Sequence, residues 1–411
     1  MTAGDVDGAA VATRRFGLSD KTSYWLVFYG MLFIVATGTV PVAMYPLYAA
    51  TFHFSPAVVT LLGSATTFGV MIVVPVLGGI SDAIGRRPVL VPGLLLAMLS
   101  IVGYIFANGF WLLLATRILS GFAVGLFTGA ATATLADLEP NGDTRRAATH
   151  ASATSVGGWA LGPIIGGIFV QYGPWPLRLV FIVSLVLLLP ALYGVVAMRE
   201  TMVTKSRHDF TPQLRLPPRG SRGLFALASL IVLCSFMTAS MFQALGPTMV
   251  VHLMHVRNLA IAAISVVSFV GTSAIAQMRF NAVPIKKATV LGLLIMPAGL
   301  VIVITALFTA RIELFVIGAL IGGFGQGLAY LGGQGIVAYI APARERAAVF
   351  STYFVIVYVA GGGSAITLGI FAKQYGLHSS TITYTILAGI LAVSTALLTA
   401  RTTISRRSDD D

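Results

Sequence analysis

Apolar blocks of about twenty residues recur from one end of this chain to the other, and a polar stretch separates each from the next. A lipid bilayer needs roughly 20 consecutive apolar residues per spanning helix. The pattern therefore restricts the chain to an all-α integral membrane protein, because in hydrocarbon a helix satisfies its own backbone. Composition agrees. The 411 residues are 57% hydrophobic and only 10% charged, far below the ~25% charge of soluble domains. Twelve spans are expected, at 24–50, 56–80, 88–107, 111–137, 150–172, 177–198, 223–248, 258–279, 288–309, 313–340, 347–372 and 381–400.

The net charge of +12 does not point to nucleic acid once the charges are placed. With the N-terminus in the cytoplasm and sides alternating, only Arg178, Arg257, Arg311 and Lys373 fall outside, and Arg117 falls inside a span. The remaining basic residues fall inside, which is the positive-inside bias. Both termini are expected in the cytoplasm, and the twin arginines at Arg14 and Arg15 read as a tail. The single cysteine, Cys234, allows no disulfide within the chain. No metal site or cofactor is expected. His252 and His255, three apart near a helix end, read as interfacial residues.

One connection is long, polar and basic: Arg199–Arg222, with the sequence RETMVTKSRHDFTPQLRLPPRGSR. It divides six spans from six and reads as a flexible cytoplasmic linker. The expected units are residues 1–198, a linker over 199–222, and residues 223–411. Leu112–Pro140 aligns without gaps on Leu314–Pro342, so that Gly121, Gly125, Ala136 and Pro140 recur as Gly323, Gly327, Ala338 and Pro342. Two related halves imply two pseudo-symmetric six-helix bundles with a binding site between them near mid-membrane.

Four stretches carry candidate function. GGISDAIGRRPVL, Gly78–Leu90, concentrates charge between two apolar blocks. There Asp82 can bond Arg86 and Arg87, and such a contact can hold one conformation and release in another. In the fourth span Arg117 lies about two turns from the outer end, at a depth that marks a functional candidate. Asp137, the other coupling or substrate candidate, stands twenty residues further along the same helix, about 30 Å away, too far to pair with it. In the fifth span Gly158, Gly162 and Gly166 form a small-residue stripe suited to close helix approach, and Pro163 removes one backbone hydrogen bond. In the first span Pro41 and Pro46 are expected to break the helix. Pro41, Tyr45, Tyr48, Gln243, Gln326, Tyr330, Gln334, Tyr353 and Tyr358 are candidates to face a cavity. GGFGQG, Gly322–Gly327, has no strand before it, so a dinucleotide site is rejected.

The loop resembles the major facilitator superfamily motif G-x-x-x-D-x-x-G-[RK]-[RK], on Gly78, Asp82, Gly85, Arg86 and Arg87. The fifth span resembles the antiporter motif of that family's drug–proton branch, G-x-x-x-G-P-x-x-G-G, on Gly158, Gly162, Pro163, Gly166 and Gly167. Thr149 departs from the longer form of that motif, and Ala282 stands where the second-half loop would carry its acid. The fourth span, with Arg117 and its downstream glycines, is similar to that branch's fourth helix. The resemblance implies the major facilitator fold and a gating loop that latches the outward-facing state. It also implies proton-driven export of small amphipathic compounds across the cell membrane by a monomer. An uptake carrier for a sugar-like or organic-anion metabolite is the alternative, and a non-transporting receptor is remote. Against proton coupling stands the lack of a carboxylate at mid-depth.

Overall fold

The computed structural model describes residues 18–77, 80–202, 214–342 and 345–403. Among them there are fifteen α-helices and no strand: α1 Asp20–Thr39, α2 Pro41–Phe52, α3 Pro56–Leu77, α4 Ile80–Ile84, α5 Arg87–Ile105, α6 Phe110–Asp137, α7 Thr144–Tyr172, α8 Leu179–Ala197, α9 Arg222–Ser240, α10 Gly246–Leu253, α11 Leu259–Arg279, α12 Ile285–Thr309, α13 Ile312–Ile340, α14 Arg346–Tyr375 and α15 Leu377–Arg401. They make twelve membrane-length spans, the first built from α1 with α2 and the seventh from α9 with α10. Large apolar side chains such as Val186, Phe308 and Leu397 stay more than half exposed on the outside, as lipid-facing residues must.

Local chemistry fixes the helix ends. Ser19, Asp143 and Asn258 accept first-turn amides of α1, α7 and α11, satisfying donors that no carbonyl of the helix can reach. Gly376, at φ +85°, makes the tight reversal between α14 and α15, a conformation favouring residues without a Cβ.

The spans group as six and six. The internal repeat appears in the packing. A Cβ built on Gly121 would come within 2.3 Å of the Thr66 carbonyl oxygen, placing α6 directly on α3. On the aligned Gly323 it would come within 2.2 Å of the Phe269 oxygen, placing α13 on α11 in the same way. The fourth span packs on the second as the tenth packs on the eighth.

Two interruptions also correspond. α1 gives way to α2 at Val40, and between α9 and α10 the backbone takes a π-helical turn over Met241–Leu245. Each lies next to a proline that cannot donate its amide, Pro41 and Pro247. Only Pro41 coincides with the break in the first span. Pro46 lies inside α2, which continues through it. Pro163 likewise leaves α7 unbroken.

At one end of the bundle the halves are sealed together. The Ser64 hydroxyl donates to the Gly362 carbonyl across α3 and α14 (3.1 Å), and the Leu259 amide donates to Gln171 Oε1 across α7 and α11 (2.8 Å). A Cβ on Gly369 would meet Thr60 Oγ1 at 1.8 Å. Here the apolar core of the first half runs without interruption into the second through Phe242, Phe269 and Phe315. At the other, arginine-rich end the second half closes its core separately, around Ile231, Leu293, Ile336 and Tyr353.

The linker differs from a free coil at both margins. Glu200 and Thr201 bond to the first half, as described below. At the other margin Arg215 pairs with Glu345, and its carbonyl accepts the Thr352 hydroxyl of α14 (2.9 Å).

Candidate functional site

Arg117 is 4% exposed and joins three elements. Its Nε donates to the Leu62 carbonyl of α3 (3.0 Å) and its Nη1 to the Gly38 carbonyl of α1 (2.9 Å). Its Nη2 donates to the Tyr45 hydroxyl of α2 (2.5 Å). The guanidinium carbon also stands 5.6 Å from the centre of the Tyr45 ring, a cation–π distance. Tyr48 and Tyr104 complete a phenolic surround. Among the described residues no carboxylate pairs with Arg117. A permanently charged side chain is therefore held in the membrane by carbonyl dipoles and neutral phenols. Neutral partners of this kind orient a guanidinium without cancelling its charge, so the field of Arg117 remains available to an anionic group or a proton carrier.

The α1–α2 break next to Arg117 is also where α7 makes its closest approach. A Cβ on Gly158 would lie 2.6 Å from Val35 Cβ, one on Gly162 2.3 Å from the Ala36 oxygen, and one on Gly166 2.5 Å from the Val40 oxygen. Thr39 Oγ1 fastens the seam by donating to the Gly158 carbonyl (3.2 Å). Gly167 points elsewhere: its Cβ would meet Ala260 Cα and Ala263 Cβ of α11 at 3.0 Å. One helix thus carries a glycine face for the broken span of its own half and a glycine contact for the opposite half.

The loop that carries the motif gathers around Arg86, which is 7% exposed. The guanidinium bonds Asp82, Ser81 Oγ (2.8 Å) and Asp137 Oδ2 (3.0 Å). Thr201 Oγ1 also donates to Asp137 (3.1 Å). Glu200 takes the amides of Arg86 (2.8 Å) and Arg87 (3.0 Å) on its two carboxylate oxygens, capping α5 from 113 residues away. Gly85, at φ +111°, has no Cβ to collide with that carboxylate. Burial works against the charge on Arg86, but the bonds to Asp137 and Asp82 outweigh it, so its pKa lies above the ordinary arginine value. Gly78 of the motif lies outside the described residues.

The cavity candidates separate into two sets. Gln243 on the π turn, and Tyr330, Gln334 and Tyr358 in the second half, are half-buried. Tyr353 and Gln326 are closed off in this conformation. Tyr353 is 0% exposed inside the second half's separate core, and Gln326 accepts the Ser273 hydroxyl (2.5 Å) between α13 and α11. Tyr45 and Tyr48 are buried beside Arg117.

Sequence reasoning leaves Asp137 without a partner and does not single out Glu200, Thr201 or Ser81. Arg86 supplies what Asp137 lacks. The only signal for Glu200 is an acid immediately after the sixth span.

Twelve apolar helices in two alike bundles, packed on glycine-lined seams of which one lies beside a buried arginine, define a membrane transporter of the two-bundle class. The model of the Major Facilitator Superfamily matches residues 26–306, and the chain belongs to that family. Two crystal structures of a bacterial homolog to the human lysosomal transporter Spinster share the fold. The inward-facing, occupied form gives a TM-score of 0.71 at 16% identity over 96% of this chain and 100% of that one. The inward-facing, unoccupied form gives 0.72 at 15% over 93% and 97%. Among curated proteins, the quinolone resistance protein NorA of Staphylococcus aureus is 26% identical over 152 residues, 37% of this chain and 39% of NorA. Multidrug resistance protein 2 of Bacillus subtilis is 23% identical over 196 residues, 47% of this chain and 48% of that protein. The matched stretches span less than half the length of either relative.

Proposed function

We propose that this transporter exports small amphipathic compounds across the plasma membrane by alternating access, driven by protons moving inward. The observation that carries the reading is the position of α7. Its Gly158–Gly162–Gly166 face sits on the broken first span while Gly167 touches α11. A shift of α7 therefore reaches both the surroundings of Arg117 and the seam between the halves. The likeness to proteins named for quinolone and multidrug resistance supports export.

With the basic end in the cytoplasm, the sealed end faces out and the structure is inward-facing. In this state every bond of the Arg86 side chain ends within the first half. Closing the cytoplasmic end brings the loop against the second half, where it acts as the latch. Asp82 and Asp137, both held by Arg86, are the carboxylates assigned to proton exchange, while the uncancelled charge of Arg117, far from both, acts on the substrate.

The test is the purified protein in liposomes with an imposed pH gradient and a panel of dyes and quinolones. Export predicts compound movement against the proton flow, abolished when the gradient is collapsed. A second reading, uptake of an organic anion, is favoured by the missing counter-charge at Arg117. It predicts accumulation of anions in the direction of the proton flow, and that result would replace the export reading.

A further inference from the structure

A groove of about 610 Å³ opens at the arginine-rich end, between the start of α9 and the end of α15. Its walls are apolar, from Leu224, Leu227 and Leu230 on α9 and Leu398 on α15, and its mouth is polar, with Ser221 and Thr402. Arg219 and Arg222 are chain neighbours of the lining residues Gly220, Ser221 and Gly223, and Arg401 is the neighbour of Thr402. All three are exposed, and among the described residues none is in an ion pair. Gly220 and Gly223 have no atom within 4 Å of where a Cβ would stand, so the mouth is open. The groove runs along the outside of the second half, where Leu397 and Leu398 are half or more exposed.

We infer that this groove binds an anionic phospholipid, with an acyl chain along the leucine walls and the phosphate among Arg219, Arg222 and Arg401. The argument is charge complementarity combined with depth. A trough with oily walls beside three arginines that have no ion-pair partner among the described residues has the polarity profile of a phospholipid in a leaflet. A soluble anion would have no use for the leucines, and a neutral lipid would leave the arginines unanswered.

Native mass spectrometry of the full-length protein tests this with dioleoylphosphatidylglycerol and dioleoylphosphatidylcholine. The wild type is expected to retain phosphatidylglycerol preferentially. Replacing all three arginines, Arg219→Gln with Arg222→Gln and Arg401→Gln, weakens that retention roughly 100-fold, since each basic residue contributes about fivefold at a membrane surface. Ala226→Trp fills the groove from an exposed position and removes the bound lipid while leaving the charges in place. Equal retention of the two lipids by the wild type would overturn the inference. So would unchanged binding in Ala226→Trp, or displacement of the lipid by the glycerophosphoglycerol headgroup alone. The chain's own end, with Asp409, Asp410 and Asp411, is the competing occupant. If deleting residues 404–411 is required before phosphatidylglycerol binds, the groove belongs to that tail and the lipid assignment fails.

Discussion

Replacing Gly162 by alanine tests the α7 seam most directly. The added Cβ would fall 2.0 Å from Thr39 Oγ1 and 2.3 Å from the Ala36 carbonyl oxygen. Ordinary contact begins near about 3.5 Å, so α7 and α1 must part locally by roughly 1 Å. Thr39 cannot simply rotate away without cost, because its hydroxyl already donates to Ala36 and Gly158. Overpacking of this kind costs about 1–3 kcal/mol, against which alanine's better helix propensity returns up to about 1 kcal/mol. Gly162→Ala is therefore expected to melt below the wild type in detergent, by scanning fluorimetry, and to transport more slowly. Gly271→Ala on α11 is the control. Nothing lies within 4 Å of its Cβ position, so it should melt at or slightly above wild type. Thr39→Ala added to Gly162→Ala removes only the hydroxyl clash and leaves the backbone one, so it should restore stability partially. A Gly162→Ala protein as stable as Gly271→Ala, or complete rescue by Thr39→Ala, would refute the packing argument.

Arg117→Lys keeps the charge but loses the fork that reaches Leu62, Gly38 and Tyr45 together, so it should insert and purify normally yet transport at under a tenth of the wild-type rate in proteoliposomes. A cysteine pair introduced by Ser64→Cys and Gly362→Cys, in a Cys234→Ser background, should cross-link at the sealed end and block transport until reduced; a cross-linked protein that still transports would show that this end does not open. Glu200→Ala removes the acceptor for the Arg86 and Arg87 amides and should cost about 1 kcal/mol, as loss of a helix cap does, read as a lower melting temperature. The pKa of Arg86 is raised in the folded protein, so its contribution is complete below the ordinary arginine value and fades only as pH climbs past the raised one. The melting gap between wild type and Arg86→Gln should accordingly stay constant between about pH 7 and 10.

The spans and their grouping are legible in the sequence because hydrocarbon imposes a length and a composition that few other environments demand. The glycine repeat of the fourth and tenth spans is legible too, since close approach removes the side chain at fixed positions. What binds Arg117 is not legible. Two of its three acceptors are backbone carbonyls, which every residue supplies, so Leu62 and Gly38 carry no mark of the role. Glu200 escapes for a different reason: its partners are amides on another helix, and no local periodicity reports a cap provided from so far along the chain. The π turn at Met241–Leu245 is hidden because only Pro247 hints at it, while the equally suggestive Pro46 leaves its helix unbroken. Tyr353 shows the limit of residue type as a guide, since an aromatic alcohol suits a cavity wall and a packed core alike.

The fastened margins of the linker set a mechanical limit. Met202 is bonded to Glu200 on one bundle, and Leu214 adjoins Arg215, which is held on the other. The dozen or so peptide units between them reach at most about 40 Å when fully drawn out. The connection is thus a tether of fixed length whose two knots travel with their bundles. The width to which the arginine-rich end can gape is bounded by covalent geometry, and shortening the tether by a few residues would narrow the stroke.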